Sequence, residues 1–235
     1  MSEIITKGYL IARNDYQMFD EVITFINEYG NKFVCLAQGT KRIESHNARH
    51  MQLGNLCEFQ FFLARNDDKV SKLMKVNAIE KVEWPNFRQS LITLNSLAEQ
   101  LIYPNVNNYK FYEKCRKYAI DKQINDAKAE LIVLRNYCKL TGIDLHVNDC
   151  VLCHNHHIKT ISFKHHGLLC GQCFEQTNEY EFSLEFSKLV YHLFKDEYEK
   201  MDKYEDHFIP LITHLKQYIT DNNGTYFAKK KKRGL

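Results

Sequence analysis

The sequence predicts an α+β protein in which a small β-barrel precedes a helical domain that carries a four-cysteine zinc module. Short strand-like runs fill the first 80 residues, and apolar residues then recur at helical spacing over most of the chain. Two Cys-x-x-Cys pairs lie sixteen residues apart, the spacing of a structural zinc site. These observations predict a domain over 1–82 and another over 83–235, with the zinc module at 150–173 and a basic tail at 229–235.

The predicted barrel rests on four strand-like runs, together with one helical segment, in the first 80 residues. Glycines and the polar turn RNDD separate the runs, as is typical of short strands joined by turns. Several short strands in a stretch of this length favour a small barrel. In the third run Cys57, Phe59 and Phe61 share one apolar face, which is predicted to be core. The runs are GYLIAR (8–13), KFVCLAQG (32–39), NLCEFQFFLA (55–64) and KLMKVNAIEKV (72–82).

The domain boundary is predicted at WPNF (84–87), because Pro85 disfavours helix at Trp84 and the apolar period changes after it. Helical spacing then connects Phe87 to Leu101. The remaining predicted helical segments are a stretch ending at Gly142, an apolar stripe over 182–193, and a last helix that opens at Pro210 and ends near DNNG (221–224).

The cysteine pairs predict a closed metal site. Each Cys-x-x-Cys forms a tight turn that directs two thiolates at one point, and the sixteen residues between the pairs can return as a hairpin. Four thiolates complete a tetrahedron and leave no position for water or substrate, so the expected cofactor is a structural Zn²⁺. Two buried cysteine pairs without metal are the alternative. The predicted ligands are Cys150, Cys153, Cys170 and Cys173.

Five histidines between the two pairs leave the ligand set open. Imidazole is a competent zinc ligand, so one histidine can replace a cysteine in a Cys3His site. The same residues can instead decorate a solvated hairpin or contact phosphate weakly. They are His154, His156, His157, His165 and His166.

The sequence favours a binding protein over an enzyme. A zinc deaminase requires His-x-Glu and a proline before its Cys-x-x-Cys, but Asp149 precedes Cys150 and the chain has no His-x-Glu. The motifs HExxH, GxxxxGK[ST], GxGxxG and GxSxG are absent as well. No catalytic residue is therefore predicted.

Basic residues indicate contacts with a polyanion. Residues 1–80 carry ten basic and ten acidic side chains, whereas residues 150–228 carry seven and eleven, and residues 229–235 carry five and none. Lysine and arginine on a flexible loop neutralise phosphates, although solubilising charge is the ordinary alternative. The predicted DNA-contacting residues are Lys32, Lys41, Arg42, Arg49 and Arg65, and the tail adds Lys229, Lys230, Lys231, Lys232 and Arg233.

A reducing, cytoplasmic location is expected. No window contains the 18 or more apolar residues of a membrane span, and the N-terminal residues lack the pattern of a signal peptide. Four further cysteines stand singly in apolar surroundings, which is typical of buried thiols. They are Cys35, Cys57, Cys115 and Cys138.

Three segments of the chain carry a family resemblance. Two of them are GYLIARNDYQMFDEVITFINEYGNKFVCLAQGTKR (8–42) and MQLGNLCEFQFFLAR (51–65), and both are similar to the start of the bacterial recombination mediator family RecO. The third segment, AELIVLRNYCKLTGIDLHVNDCVLC, continues to GLLCGQC and resembles the family's helix, linker and zinc knuckles. The similarity covers nearly the whole chain in the same order.

The resemblance implies an N-terminal OB-fold, a helical domain with an inserted zinc module, and no catalytic turnover. It implies binding to single- and double-stranded DNA, annealing of complementary strands, and cooperation with RecR and the SSB C-terminal tail in loading RecA at the nucleoid. Lys41 and Arg42 match the family's basic pair after the glycine, and the four cysteines match the ligands of zinc-containing members. Gln38 and Met18 depart from the family pattern, which weakens the expected DNA contacts of the barrel, and the basic tail is a candidate compensation.

Two other functional classes fit parts of the pattern. A metal-dependent nuclease or deaminase requires an open metal position, and a zinc-knuckle transcription factor or structural scaffold requires only the cysteine module. In the helical domain, a candidate basic rim for a partner peptide consists of Lys110, Lys114, Arg116 and Lys117.

Overall fold

The computed structural model describes residues 2–64, 69–83 and 88–230, with side chains described as far as residue 222. The chain forms two compact units, one ending at Gln123 and the other beginning at Ile124. None of the helices in these described ranges combines the length and the apolar character that a membrane crossing requires.

The first unit contains a closed barrel of five strands in the order β1-β2-β3-β5-β4. Strands β3 and β5 pair in parallel, and the other neighbouring strands, including β1 and β4 at the closure, pair antiparallel. The strands are β1 (Glu3–Asp15), β2 (Glu21–Asn27), β3 (Lys32–Ala37), β4 (Leu56–Phe62) and β5 (Ser71–Glu80).

The barrel interior is filled by aromatic and branched side chains. Phe25 and Phe59 stack with ring centroids 3.9 Å apart. The predicted apolar face of the third run is confirmed, because Cys57, Phe59 and Phe61 are fully buried. Burial raises the pKa of the Cys57 thiol to about 12, so this cysteine is a core residue.

Strand β2 was not among the predicted strands. Six of its seven residues are buried, so VITFI shows a continuous apolar run instead of the alternation that marks a half-exposed strand. The helical segment predicted within the first 80 residues is wrong for the described residues there, whose only helical element is a 3-10 turn at Ala48–His50.

Two helices complete the first unit, α1 (Gln89–Gln100) and α2 (Val106–Ile120). The division at 123/124 therefore differs from the boundary expected after residue 82, whose marker WPNF lies outside the described residues. The β2–β3 turn and the start of α2 approach so closely that a Cβ on Gly30 would lie 1.8 Å from the Asn105 carbonyl oxygen. Such an approach requires glycine.

As far as residue 230, the second unit contains four helices, a two-stranded sheet and a 3-10 segment. The Asn125 side chain accepts hydrogen bonds from the first backbone N–H groups of α3, and Gly142 ends this helix with a positive φ. The predicted helical stretch ending at Gly142 is thus two helices, α2 and α3. The elements are α3 (Asp126–Thr141), β6 (Ile158–Ser162), β7 (Gly167–Cys170), α4 (Gly171–Glu175), α5 (Leu184–Phe194), the 3-10 segment Tyr198–His207, and α6 (Phe208–Lys230).

The last helix differs from its prediction at both ends. It begins at Phe208, two residues before Pro210, and Pro210 occupies the first turn, where a missing N–H costs no helical hydrogen bond. It continues through 221–224 to Lys230 instead of ending there.

Candidate metal centre and nucleic-acid interface

The first knuckle is a tight turn between Cys150 and Asn155. The backbone N–H of His154 donates to the Cys150 carbonyl at 2.8 Å, and the Cys150 N–H donates to the Asn155 carbonyl at 2.9 Å. His154 has a positive φ of 60°, the left-handed conformation that closes such a turn. These bonds fix the two thiols of this pair on one side of the turn.

The second knuckle is formed where β7 passes into α4. Cys170 is the N-cap of α4 and Cys173 lies within it. The preceding β6–β7 hairpin returns the chain to the first knuckle, because the Val151 N–H donates to the Leu168 carbonyl at 2.8 Å. Gly167 permits this approach, since a Cβ there would lie 2.6 Å from the His146 carbonyl oxygen.

The two knuckles bring four thiols together. The Sγ atoms of Cys150, Cys153, Cys170 and Cys173 all lie within 4.8 Å of one another, and Cys153 and Cys170 are 3.5 Å apart. All four cysteines are free of disulfides. The site can hold a metal ion in a four-sulfur shell, as the spacing predicts.

The thiols perturb one another. Burial opposes ionisation of Cys150, but hydrogen bonds from the backbone N–H groups of Cys170, Leu152 and Cys153 outweigh it and lower its pKa to about 6. The neighbouring Cys153 thiol instead raises the pKa of Cys173 to about 12. A metal cation among the four sulfur atoms would stabilise all of them as thiolates, because a coordinating thiol loses its proton.

The histidines near the knuckles have partners of their own. His165 pairs with Glu179 at 3.1 Å, and the His166 ring contacts the Tyr218 hydroxyl at 2.9 Å. His154 contacts Asp149, and His156 and His157 are exposed. The four thiols come together without any of these imidazoles, so the geometry favours the all-cysteine ligand set.

The basic loop after β3 folds against the β1–β2 turn. The Lys41 ammonium pairs with Asp15 at 2.6 Å, and the Lys41 N–H donates to the Phe19 carbonyl at 3.1 Å. The guanidinium of Arg42 lies over the Phe19 ring, 5.1 Å from its centroid. Both basic residues are exposed, so Lys41 and Arg42 form a cationic and aromatic surface with Phe19.

A buried ion pair anchors this loop to the barrel. Glu21 is 5% exposed, and its carboxylate accepts hydrogen bonds from Arg13 and from the Thr40 hydroxyl, each at 2.8 Å. Arg13 also donates to the Met51 carbonyl, at the far end of the loop. The loop that carries the predicted basic residues is thereby tied to β1 and β2.

A second cationic group, found only in the structure, surrounds His50. Partial burial and the positive charges of Arg49, Lys81 and Lys75 lower the pKa of the His50 imidazole. The three cations are exposed, and only Arg49 was predicted from the sequence. Lys75 and Lys81 lie on and just after β5, so their proximity to Arg49 depends on folding of the loop.

Lys32 has a different environment from the one predicted. Its ammonium donates to the carbonyls of Glu99 and Leu101 at the C-terminal end of α1. These contacts satisfy carbonyl groups that a helix end leaves without intrahelical partners. This placement favours a structural role for Lys32 over a phosphate contact.

The predicted basic rim on α2 is divided by burial. Lys110, Lys114 and Lys117 are exposed. Arg116 is only 5% exposed and donates to the Gly54 carbonyl at 2.6 Å and to Glu80 at 3.1 Å, so its guanidinium is part of the interior. The expectation that Arg116 belongs to a surface rim is therefore wrong.

Other predicted contacts lie where side chains are not described. Arg65, Lys231, Lys232 and Arg233 are outside the described residues, and Lys229 and Lys230 lie in α6 beyond the last described side chain.

Exposed apolar side chains lie beside the basic residues Lys41 and Arg42, and the sequence did not predict this apolar group. Met18 is 82% exposed and Ile43 is fully exposed, while Tyr16 and Phe19 are also exposed. These four residues occupy the β1–β2 turn and the loop after β3. The sequence signal that could have identified this exposed group is the presence of Tyr16 and Phe19 among polar residues between two strands.

No family model matches the chain. The chain is, however, 24% identical to the DNA repair protein RecO of Mesoplasma florum over 200 residues, which covers 81% of this chain and 74% of that protein. The corresponding protein of Mycoplasma mycoides subsp. mycoides is 25% identical over 231 residues, which covers 92% and 85%. The expected similarity to RecO is confirmed. It extends across both units.

Proposed function

We propose that this protein is a non-enzymatic mediator of DNA repair and recombination that binds single- and double-stranded DNA and anneals complementary strands. The observation that carries the proposal is the similarity to two RecO proteins over 81% and 92% of the chain. The exposed cationic and aromatic residues on the loops of the first unit support it, because such surfaces bind nucleic acid.

The barrel is proposed to be an OB-fold. Its five strands, their order β1-β2-β3-β5-β4 and the antiparallel contact between β1 and β4 agree with the Greek-key barrel of that class. In OB-folds the surface of strands 2 and 3, together with the loops between strands 1 and 2 and between strands 4 and 5, binds oligonucleotides. The β1–β2 turn with Tyr16 and Phe19 occupies one of these positions.

The DNA contacts combine phosphate neutralisation with base stacking. Lys41 and Arg42 are proposed to contact phosphates beside the Tyr16 and Phe19 rings, and these rings can stack on bases of any sequence. Arg49, with Lys75 and Lys81, supplies the second cationic group, which surrounds His50. Backbone contacts carry little sequence information, so binding should be nonspecific.

Annealing follows from charge neutralisation. Two strands whose phosphates are neutralised repel each other less, so they can pair without ATP. By the same similarity we propose RecR and the SSB C-terminal tail as partners, loading of RecA as the outcome, and the bacterial nucleoid as the location. The basic tail at 229–235 is proposed to add phosphate contacts.

The four-cysteine centre is proposed to hold a structural Zn²⁺. Its ligands would be Cys150, Cys153, Cys170 and Cys173, and four thiolates satisfy the tetrahedral preference of this ion. The metal would fix the β6–β7 hairpin and α4 to the first knuckle. Because metal binding contributes folding free energy in such modules, its role is stability and not chemistry.

The test is annealing of complementary oligonucleotides without nucleotide, measured across a salt series. We expect the wild type to accelerate annealing and Lys41→Ala/Arg42→Ala/Arg49→Ala to lose most of this acceleration, with a shallower dependence of affinity on salt. The matched control, Lys164→Ala/Lys188→Ala/Lys203→Ala, removes three exposed charges from the second unit and should anneal normally. No annealing by the wild type would exclude the proposed function.

A further inference from the structure

Three side chains outside the cysteine set converge beside the first knuckle. Asp149 immediately precedes Cys150, and His154 immediately follows Cys153. His146 lies beside them because its backbone is held against the β6–β7 hairpin. Its N–H donates to the His166 carbonyl at 2.8 Å, and its own carbonyl accepts from the Leu168 N–H at 2.9 Å. The turn that positions the thiols thus also positions a carboxylate between two imidazoles.

Both imidazoles contact the same carboxylate oxygen of Asp149. His146 Nε2 lies 2.8 Å and His154 Nδ1 lies 3.0 Å from Oδ1 of Asp149, and the three atoms lie within 4.8 Å of one another. Ligands about 2.1 Å from a tetrahedral zinc are separated by about 3.4 Å. A withdrawal of Asp149 by a few tenths of an ångström from each imidazole would therefore bring these two separations to the value found between zinc ligands.

We propose that His146, Asp149 and His154 form a second metal site, which binds a divalent transition metal such as Zn²⁺ or Co²⁺. Two imidazoles and a carboxylate suit these ions, whereas Mg²⁺ and Ca²⁺ prefer shells made of oxygen. Three protein ligands leave one tetrahedral position for water or an anionic oxygen. This site is open, unlike the neighbouring four-sulfur site.

The site is accessible from solvent. The His154 side chain is 74% exposed, that of His146 35% and that of Asp149 19%. A metal can therefore enter without unfolding of the module, and with three protein ligands it should exchange more readily than one held by four thiolates. The alternative is that Asp149 only accepts hydrogen bonds from the two imidazoles.

The experiment adds Co²⁺ to the full-length protein and follows its absorption spectrum. Cobalt held by thiolates gives strong charge-transfer bands, whereas cobalt held by nitrogen and oxygen gives only weak d–d bands, so the two sites are distinguished. We expect one equivalent to bind with the weak spectrum. His154→Asn, whose side chain tolerates the left-handed backbone of this position, should weaken this equivalent at least about tenfold and leave binding at the cysteine site unchanged.

A matched control uses two exposed histidines of the same loop. His156→Gln/His157→Gln should bind the equivalent as the wild type does, since neither residue belongs to the group of three donors. His146→Gln tests the less exposed ligand, and the exposed His154 keeps the test decisive if that variant does not fold. The proposal is overturned if the wild type binds no such equivalent, if His154→Asn binds it unchanged, or if the control loses it.

Discussion

At the scale of single residues, basic side chains divide into interior and surface groups in a way that their charge does not reveal. Arg116 and Lys117 are neighbours on α2, but Arg116 is buried and Lys117 is exposed. Helical spacing explains the difference, because Arg116 lies four residues after the fully buried Tyr112 and three residues before the buried Ala119. Position on the helix therefore indicates the role of an arginine better than the density of basic residues does.

Replacement of Arg116 by alanine should destabilise the protein by about 2–3 kcal/mol. The change leaves the Gly54 carbonyl without its donor and removes packing against Tyr9, whose ring lies 5.4 Å from the guanidinium. Urea denaturation measures the free energy of unfolding. Lys117→Ala is the control and should change it by less than about 0.5 kcal/mol. Equal values for the two variants would contradict the interior role of Arg116.

The pKa of His50 should report DNA binding. Burial and three nearby cations lower it in the free protein, so the imidazole carries less positive charge than an ordinary histidine does at the same pH. Phosphates bound at these cations would raise the pKa, and the bound state would then hold more protons. DNA affinity should consequently increase as pH falls below about 6.5.

The pH dependence is measured by fluorescence anisotropy on an oligonucleotide, with NMR titration of the His50 ring as a direct readout. His50→Gln should show a smaller increase in affinity between pH 7 and pH 5.5. A His50 pKa that does not move on addition of the oligonucleotide would show that phosphates do not approach this cationic group.

At the scale of elements, the loops of the barrel carry the proposed interface and the strands carry the core. The Glu21 carboxylate connects the strands to the loop after β3, because it joins β2 to Arg13 on β1 and to Thr40 in that loop. The loop is thus positioned by the strands, which favours a preformed surface over one that becomes ordered on binding.

Removal of both aromatic rings from the β1–β2 turn should weaken binding to single strands. Tyr16→Ala/Phe19→Ala is expected to cost about 1–3 kcal/mol for each base that loses its stacking partner. The salt dependence of affinity should stay the same, because no charge is removed. Tyr29→Ala, which removes another exposed tyrosine of the same unit, should bind normally. Unchanged affinity of the double variant would exclude a stacking role for this turn.

Much of this element structure was predictable from local patterns. Alternation identified the apolar face of β4, and the cysteine spacing identified the two knuckles. Strand β2 was missed because both of its faces are largely buried, which removes the period of two. The interactions of Lys32 with α1, and of His50 with the charges of Lys75 and Lys81, join residues distant in sequence, and no local pattern specifies such neighbours.

At the scale of the whole molecule, the division of the chain decides which fragments can fold. The unit that contains the barrel extends to Gln123, because the side chains of α2 cover the outer surface of β1. Tyr9 on that surface is 3% exposed and has its ring 4.9 Å from the Tyr112 ring and 5.2 Å from the Tyr109 ring.

A fragment of residues 1–123 should be soluble and unfold cooperatively, whereas a fragment of residues 1–82 should aggregate or unfold with little cooperativity. The shorter fragment loses α1 and α2 and exposes the apolar surface around Tyr9 to water. Size-exclusion chromatography and thermal unfolding followed by circular dichroism distinguish the two outcomes. Equal stability of both fragments would mean that the barrel folds without these helices.

The contact between Arg116 and Gly54 also has a consequence for the growing chain on the ribosome. The two residues are 62 positions apart, so the strands leave the ribosome before the helix that covers them. At synthesis rates of about 5–20 residues per second, the 36 residues from 80 to 116 take about 2–7 s to synthesise. During that interval the surface of β1 around Tyr9 is accessible to chaperones. Slower translation of α1 and α2 would lengthen the time for which this surface is exposed.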